Sequence, residues 1–115
     1  MFPDLSQINI YIRPGHTDMR KAINGLAVAV TEDMSFDPLN GSLYLFANKQ
    51  RKIMKALYWD KNGFCLWQKK LEKHRFPWPG TDDSARQIDV DQLNMLLSGI
   101  DFWNAHTELK YSAVS

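Results

Sequence analysis

A β-hairpin signal in the middle of the chain constrains the fold more than any other feature. Two apolar runs, Lys52 to Trp59 and Phe64 to Leu71, flank the sequence Asp60-Lys61-Asn62-Gly63. Asn-Gly favours the positive backbone angle that a tight turn between antiparallel strands needs. We therefore predict paired strands over 52–59 and 64–71, joined by residues 60–63.

A loop of this length also predicts the register of the two strands. Trp59 lies opposite Phe64, and each further step outward on one strand is matched by one step on the other. The predicted pairs are Leu57–Leu66, Lys55–Gln68 and Ile53–Lys70 on one face, and Tyr58–Cys65, Ala56–Trp67 and Met54–Lys69 on the other.

The residues before the hairpin predict a strand, a helix and a second strand. Ile8 to Ile12 alternates between apolar and polar residues, as in a half-buried strand. Thr17 is a suitable helix cap, and Asp18 would lie in the first turn, where the helix dipole favours an anion. Apolar residues recur at helical spacing from Met19 to Val30, so we predict a helix over 18–31. Residues 43–47 are almost entirely apolar and predict the first strand of a meander.

A second helix is predicted near the C-terminus, over residues 91–99. Asp89 or Asp91 is its expected cap, and Gly99 would end or kink it. The fold class is α+β: a small antiparallel sheet, made of the meander 43–47, 52–59 and 64–71 plus strand 8–12, packed on one face against helices 18–31 and 91–99. We assign residues 1–103 to one domain and residues 104–115 to a polar tail.

Charge is distributed unevenly although the net charge is only +1. Residues 48–75 have a net charge of +7, while residues 1–47 have −2 and residues 76–115 have −4. Four basic residues lie on the incoming strand and the turn before it, and four lie on the outgoing strand and the residues after it. The hairpin brings these two basic sets to the same, open end, with only Glu72 among them. We call these eight side chains the basic end: Lys49, Arg51, Lys52, Lys55, Lys69, Lys70, Lys73 and Arg75.

Converging like charges repel, and a polyanion that neutralises them and releases counterions would bind favourably. We therefore predict nucleic-acid contact at the basic end. Two alternatives stay open: the cations are a solvated surface that protects the sheet edge, or they bind an acidic protein partner.

Three more residues are candidate contacts. Trp78, between Pro77 and Pro79, is held in an extended chain and would stack on a base or dock into a partner; the alternative is a lid over the core. Arg20 and Lys21, near the predicted helix start, would bind phosphates or a protein partner; the alternative is an ordinary solvated helix face.

The sequence predicts no enzyme active site, cofactor or metal site. Strand transfer usually needs three carboxylates that hold two metal ions. Asp18 is explained by a helix start, Asp60 by the hairpin loop and Glu72 by neighbouring lysines. The histidines lack the spacing of zinc ligands, and Cys65 lies in an apolar strand, where packing is the expected role.

Two blocks of the sequence together resemble a known family. The first is Arg13-Pro14-Gly15-His16-Thr17-Asp18-Met19-Arg20-Lys21-Ala22-Ile23-Asn24-Gly25-Leu26-Ala27, and the second runs from Leu57 to Leu71 and on to Arg75-Phe76-Pro77-Trp78-Pro79. Both resemble the Orf2-like accessory protein, called TnpB, of the insertion sequence 66 family of bacterial transposons, and Leu93 to Ile100 resembles its closing helix. Asn24 stands where that family favours Asp.

The resemblance implies a protein that assists transposition, while a separate transposase cuts and joins the DNA. It thus implies two classes of partner: DNA, especially the transposon ends, and the transposase and other proteins of the same element. The alternative to a DNA-binding role is an adaptor for the transposase with little DNA affinity of its own. We expect a cytoplasmic bacterial protein without a membrane span, associated with the nucleoid if it binds DNA, and we predict no particular oligomeric state.

Overall fold

In the part of the chain that the structure describes, a five-stranded mixed sheet with a helix on each face forms the fold, and the predicted α+β class is confirmed. The computed structural model describes residues 4–80 and 85–102. The sheet order is β4-β3-β2-β1-β5. The elements are a 3-10 turn at Leu5–Gln7, β1 at Ile10–Ile12, α1 at Ile23–Glu32, β2 at Leu43–Ala47, β3 at Ile53–Asp60, β4 at Gly63–Lys70, β5 at Arg86–Ile88 and α2 at Val90–Leu97.

The β3–β4 hairpin has the predicted register at every pair, from Trp59 opposite Phe64 to Ile53 opposite Lys70. Pairing continues one step further than expected, to Asp60 and Gly63, so the loop has only two unpaired residues. The positive backbone angle falls on Lys61, with φ 57°, and not on Asn62 or Gly63. The sequence therefore predicts the turn and its register correctly but assigns the left-handed residue wrongly.

Strand β1 joins the sheet differently from the prediction of an antiparallel arrangement. The meander β2-β3-β4 is antiparallel, but β1 runs parallel to β2, with Ile10 opposite Leu43 and Ile12 opposite Leu45. The connection between β1 and β2 contains α1, and a helical crossover returns the chain to the end where β1 began. The sheet is therefore mixed.

Strand β5 is an element that the sequence pattern did not predict. It pairs antiparallel with the outer side of β1, with Ile10 opposite Ile88 and Ile12 opposite Arg86. A three-residue strand shows no alternation long enough to identify it. Its position next to β1 covers an edge that would otherwise be open.

The helices lie on opposite faces of the sheet, which corrects the expectation that both pack on one face. Leu43, Leu45 and Ala47 of β2 belong to the core cluster that includes α2 residues Leu93 and Leu96. Tyr44 and Phe46 belong to a second cluster, with α1 residues Leu26, Ala29 and Val30. Because successive strand side chains point to opposite faces, the continuous apolar sequence of β2 reflects burial on both sides.

Helix α1 begins at Ile23, five residues later than predicted. Its N-cap is Ala22, which makes no side-chain capping bond. Residues 18–22 instead form a turn, in which the backbone N–H groups of Arg20 and Lys21 both donate to Asp18. Thr17 does not cap the helix, since its backbone N–H donates to the Ala47 carbonyl at 2.8 Å and the residue is buried.

Helix α2 begins with a capping box, which confirms Asp89 as the cap of the two candidates. The Asp89 carboxylate accepts from the Gln92 N–H at 2.7 Å, and the Gln92 side chain accepts from the Asp89 N–H at 2.9 Å. The helix ends at Leu97, and Gly99 follows with φ +77°, the left-handed conformation that closes many helices.

The assignment of residues 1–103 to one domain stays a prediction, and the predicted tail, residues 104–115, lies outside the described residues. Phe102 is buried in the core cluster on the α2 side, so the packed fold extends at least that far. Across residues 4–80 and 85–102, no helix has the length and apolar character that a membrane crossing requires.

Candidate nucleic-acid interface

The two basic sets of the hairpin meet at its open end, as predicted, because backbone hydrogen bonds hold them together. The N–H of Leu71 donates to the carbonyl of Lys52, and the N–H of Phe76 donates to the carbonyl of Arg51, both at 2.7 Å. The β2–β3 turn is itself fixed by Asn48, whose side-chain oxygen accepts from the N–H groups of Lys52 and Ile53. The convergence is therefore a property of the backbone.

Six of the eight predicted residues keep their side chains at the surface. Five are exposed and Lys52 is half-buried. Among the described residues, none of the six forms an ion pair with a carboxylate. We call this set the basic surface: Lys49, Arg51, Lys52, Lys70, Lys73 and Arg75.

Lys55 does not belong to the basic surface, which corrects its prediction as a nucleic-acid contact. The residue is only 9% exposed. Its ammonium group donates to the carbonyl of Met19 at 2.9 Å and to that of Lys21 at 3.1 Å. A buried ammonium needs such acceptors, and here it satisfies carbonyls that precede α1. Lys55 thus holds the 18–22 turn against the sheet.

Lys69 also has a structural partner. Its ammonium group donates to the carbonyl of Leu97 at 3.0 Å, on the last residue of α2. Helix C-termini leave carbonyls unpaired and attract cations, and α2 has no basic residue in its own last turn. Lys69 supplies that cation from the neighbouring strand, so we omit it from the basic surface.

Trp78 lies in the core, so the prediction of base stacking or partner docking is wrong and its alternative, a core lid, is correct. The residue is 5% exposed and packs in the cluster on the α2 side. Its indole N–H donates to the Arg13 carbonyl at 2.9 Å. The hydrogen bond satisfies the polar edge of the ring, as buried tryptophan requires.

Arg20 and Lys21 are exposed, as a contact role requires, but they belong to the turn before α1 and not to the helix. The Arg20 guanidinium donates to both Asp18 carboxylate oxygens, at 2.7 to 3.0 Å. These hydrogen bonds from Arg20 lower the pKa of Asp18 from 3.8 to about 2. The carboxylate is therefore charged at neutral pH, and it holds the guanidinium in one orientation.

A groove that the sequence did not reveal lies between residues 16–20, which precede α1, and residues 48–50 of the β2–β3 turn. It is an open depression of about 590 Å³. The N–H of Thr17 bonds to the Ala47 carbonyl and holds the two walls together. The two walls follow the C-terminal ends of β1 and β2, which lie side by side because these strands are parallel. No local sequence signal therefore predicts the groove. Its lining residues are His16, Thr17, Asp18, Met19, Arg20, Asn48, Lys49 and Gln50.

Two residues of the hairpin's open end hold left-handed backbone conformations that favour glycine. Arg51 has φ 62° and His74 has φ 68°, and neither has a special position in the sequence pattern. The left-handed region costs about 1–2 kcal/mol for a residue with a side chain. Basic side chains are therefore present where the backbone alone would favour glycine.

The histidine, cysteine and acidic side chains of residues 4–80 and 85–102 lie apart from one another. No three histidine, cysteine or acidic side chains there are grouped closely enough to hold a metal ion. Cys65 is half-buried against the core on the α2 side, which agrees with a packing role.

Comparison with known proteins identifies the family. A family model described as IS66 Orf2 like protein matches residues 8–107, which is most of the chain. The chain belongs to the IS66 Orf2-like family. The resemblance inferred from the two sequence blocks is confirmed, and the match continues past the last described residue, Phe102.

Two relatives match most of this chain over most of their own length. The chain is 38% identical over 102 residues to the uncharacterized protein y4hO of Sinorhizobium fredii strain NBRC 101917 / NGR234, with 89% of each chain covered. It is 28% identical over 95 residues to the uncharacterized protein y4jC of the same strain, covering 83% of this chain and 81% of the relative. No solved structure matches the chain significantly.

Membership connects this chain to transposition by insertion sequences of the IS66 type. The Orf2-like proteins of the family are accessory proteins and are not known to be catalytic.

Proposed function

We propose that the protein is a non-catalytic accessory factor of bacterial DNA transposition that binds DNA, particularly the transposon ends, through the basic surface. One observation supports the proposal above the others. Backbone hydrogen bonds from Leu71 and Phe76 bring the two basic segments together, and six cations there have no carboxylate partner among the described residues.

Charge repulsion among these cations opposes folding, and a phosphate backbone would offset that repulsion. Phosphate contacts position a protein on DNA but carry little sequence information. The basic surface therefore predicts binding that depends strongly on salt and weakly on base sequence.

The alternative, an adaptor for the transposase, has weaker support. It depended on Trp78 as an exposed aromatic contact, and Trp78 is in the core. The acidic segments on either side of the basic hairpin are its other argument. We keep it as an outcome of the experiment below, in which the transposase is tested as a direct partner.

The test is a fluorescence anisotropy titration of transposon-end duplex DNA over a salt series. A triple variant, Lys70→Ala, Lys73→Ala and Arg75→Ala, should bind more weakly, and the slope of log affinity against log salt should fall by roughly 2–3, about 0.9 per lost phosphate contact. Lys69 is left intact because it bonds to α2.

The control is Lys61→Asn, which removes one positive charge at the hairpin loop, roughly 25 Å from the open end at strand spacing. Asn tolerates the left-handed conformation of that position. Lys61→Asn should bind like the wild type. Absence of DNA binding at low salt, or unchanged binding by the triple variant, would refute the proposal; association with the transposase in that case would favour the adaptor.

A further inference from the structure

We infer that the groove between the turn at residues 16–20 and the β2–β3 turn is a binding site for one nucleotide of the DNA backbone, adjacent to the basic surface. The inference rests on the proposed function and deepens it, because it names a second contact of different chemistry. Lys49 belongs to both sites, so a DNA strand that follows the basic surface passes the mouth of the groove.

The walls of the groove carry oriented hydrogen-bond donors. Asp18 binds Nε and Nη2 of Arg20, and the side chain of Arg20 is 92% exposed. Within the described residues, Nη1 of Arg20 makes no hydrogen bond, so its two N–H groups are available to a ligand. On the opposite wall, the oxygen of the Gln50 amide accepts from Asn48 at 3.2 Å, which leaves the amide nitrogen as a donor.

A buried hydroxyl in the lining is the second, independent observation. Thr17 is 6% exposed, and its hydroxyl oxygen has no hydrogen-bond partner among the described residues. Buried polar groups are nearly always satisfied, and an unsatisfied one requires an explanation such as a missing ligand. That oxygen is closed to solvent, so the Thr17 side chain would have to rotate about χ1 for its hydroxyl to reach a polar ligand in the groove.

The charge and size of the groove favour a phosphodiester over a neutral or cationic ligand. Among the lining residues, Arg20 pairs with Asp18, so the net charge of the groove is +1 and comes from Lys49. A volume of about 590 Å³ exceeds that of a single phosphate group and lies in the range that holds a small molecule. Half-buried Met19 offers the apolar contact that a deoxyribose needs.

The test measures DNA affinity for three groove variants, Arg20→Ala, Lys49→Ala and Thr17→Val, beside the triple variant of the basic surface and the Lys61→Asn control. We expect each groove variant to bind transposon-end DNA about threefold to tenfold more weakly. Arg20→Ala and Lys49→Ala should also each lower the salt slope by about 0.9. Thr17→Val keeps the side-chain shape and should melt no lower than the wild type, so weaker binding there reports a lost contact and not unfolding.

The outcomes separate this inference from the proposed function. If Arg20→Ala and Thr17→Val bind within twofold of the wild type while the triple variant is weakened, the groove inference is wrong and the proposed function stands. Lys49→Ala does not enter this comparison, because Lys49 also belongs to the basic surface. If wild-type protein binds no DNA, both fail. If the groove variants lose affinity for the transposase but not for DNA, the groove binds a peptide and the inference is overturned.

A second arm distinguishes a phosphodiester from free phosphate. Amide signals of residues 16–20 and 48–50 are followed by NMR while either inorganic phosphate or the dinucleotide dTpT is added. Shifts with dTpT at concentrations where phosphate has no effect would support a nucleotide site. Equal responses to both would reduce the site to a simple anion site and overturn the nucleotide assignment.

Discussion

Arg51 connects backbone strain with function at the scale of a single residue. It occupies the left-handed region, its carbonyl accepts from Phe76, and its side chain belongs to the basic surface. Strain of this kind persists where the surrounding structure enforces it, and it is concentrated at functional sites. We therefore infer that arginine at position 51 lowers the stability of the fold and is explained by its contribution to binding.

The prediction is that Arg51→Gly separates these two properties. Glycine adopts the left-handed region without steric cost, so the free energy of unfolding should rise by about 0.5–1 kcal/mol. DNA affinity should fall about threefold to tenfold because one phosphate contact is lost. Urea unfolding and DNA titration measure the two quantities.

Lys49→Ala is the matched control, since Lys49 is not among the left-handed residues. It should lose DNA affinity without gaining stability. A less stable Arg51→Gly protein, or one that binds DNA as tightly as the wild type, would contradict the interpretation.

At the scale of an element, α2 depends on contacts at both of its ends. Its N-terminus is closed by the reciprocal bonds of Asp89 and Gln92, and its C-terminus receives the Lys69 ammonium from β4. Eight residues are too few for a stable isolated helix, so capping and core packing must stabilise it.

We predict that Asp89→Ala lowers the free energy of unfolding by about 1 kcal/mol, because the Gln92 N–H loses its acceptor. Asp91→Ala is the control. It removes the same charge from the first turn, where only the helix dipole is affected, and should cost about 0.3–0.5 kcal/mol. Urea unfolding of both variants tests the difference, and equal losses would show that the capping box adds nothing beyond charge.

At the scale of the whole molecule, the segment 76–79 links distant parts of the fold. Phe76 bonds to Arg51 beside the basic surface, Trp78 bonds to Arg13 after β1, and Pro79 accepts from Gly15. Three chain segments are thus held at one end of the sheet. The position of the basic surface depends on this arrangement, although Trp78 itself is buried in the core cluster on the α2 side.

We predict that Trp78→Phe lowers the free energy of unfolding by about 1–3 kcal/mol, because the buried indole hydrogen bond to the half-buried Arg13 is lost. DNA affinity, measured where the variant is fully folded, should stay within twofold of the wild type. Denaturation and anisotropy titration give the two values. The opposite result, intact stability with weakened DNA binding, would indicate that Trp78 contacts the DNA after all.

The sequence by itself determined the features that arise from neighbours along the chain. Alternation and the Asn-Gly signal were enough for the complete β3–β4 register, because a slip by one residue would exchange the faces of every side chain. Convergence of the basic segments followed from that register. The cap of α2 was narrowed to Asp89 or Asp91, the acidic residues before an apolar stripe, since capping bonds span only three residues.

Only the tertiary structure decided which of these basic side chains are exposed and free to bind a ligand. Lys55 and Lys69 are like their neighbours in sequence, but carbonyls 28 to 36 residues away accept their ammonium hydrogens. Both carbonyls that Lys55 bonds, those of Met19 and Lys21, lie in the segment where the sequence predicted the first turn of α1. The parallel β1–β2 pairing and the burial of Trp78 likewise depend on segments far apart in the chain. Local patterns carry no information on such contacts, so the sequence places the charge and the fold decides where it is exposed.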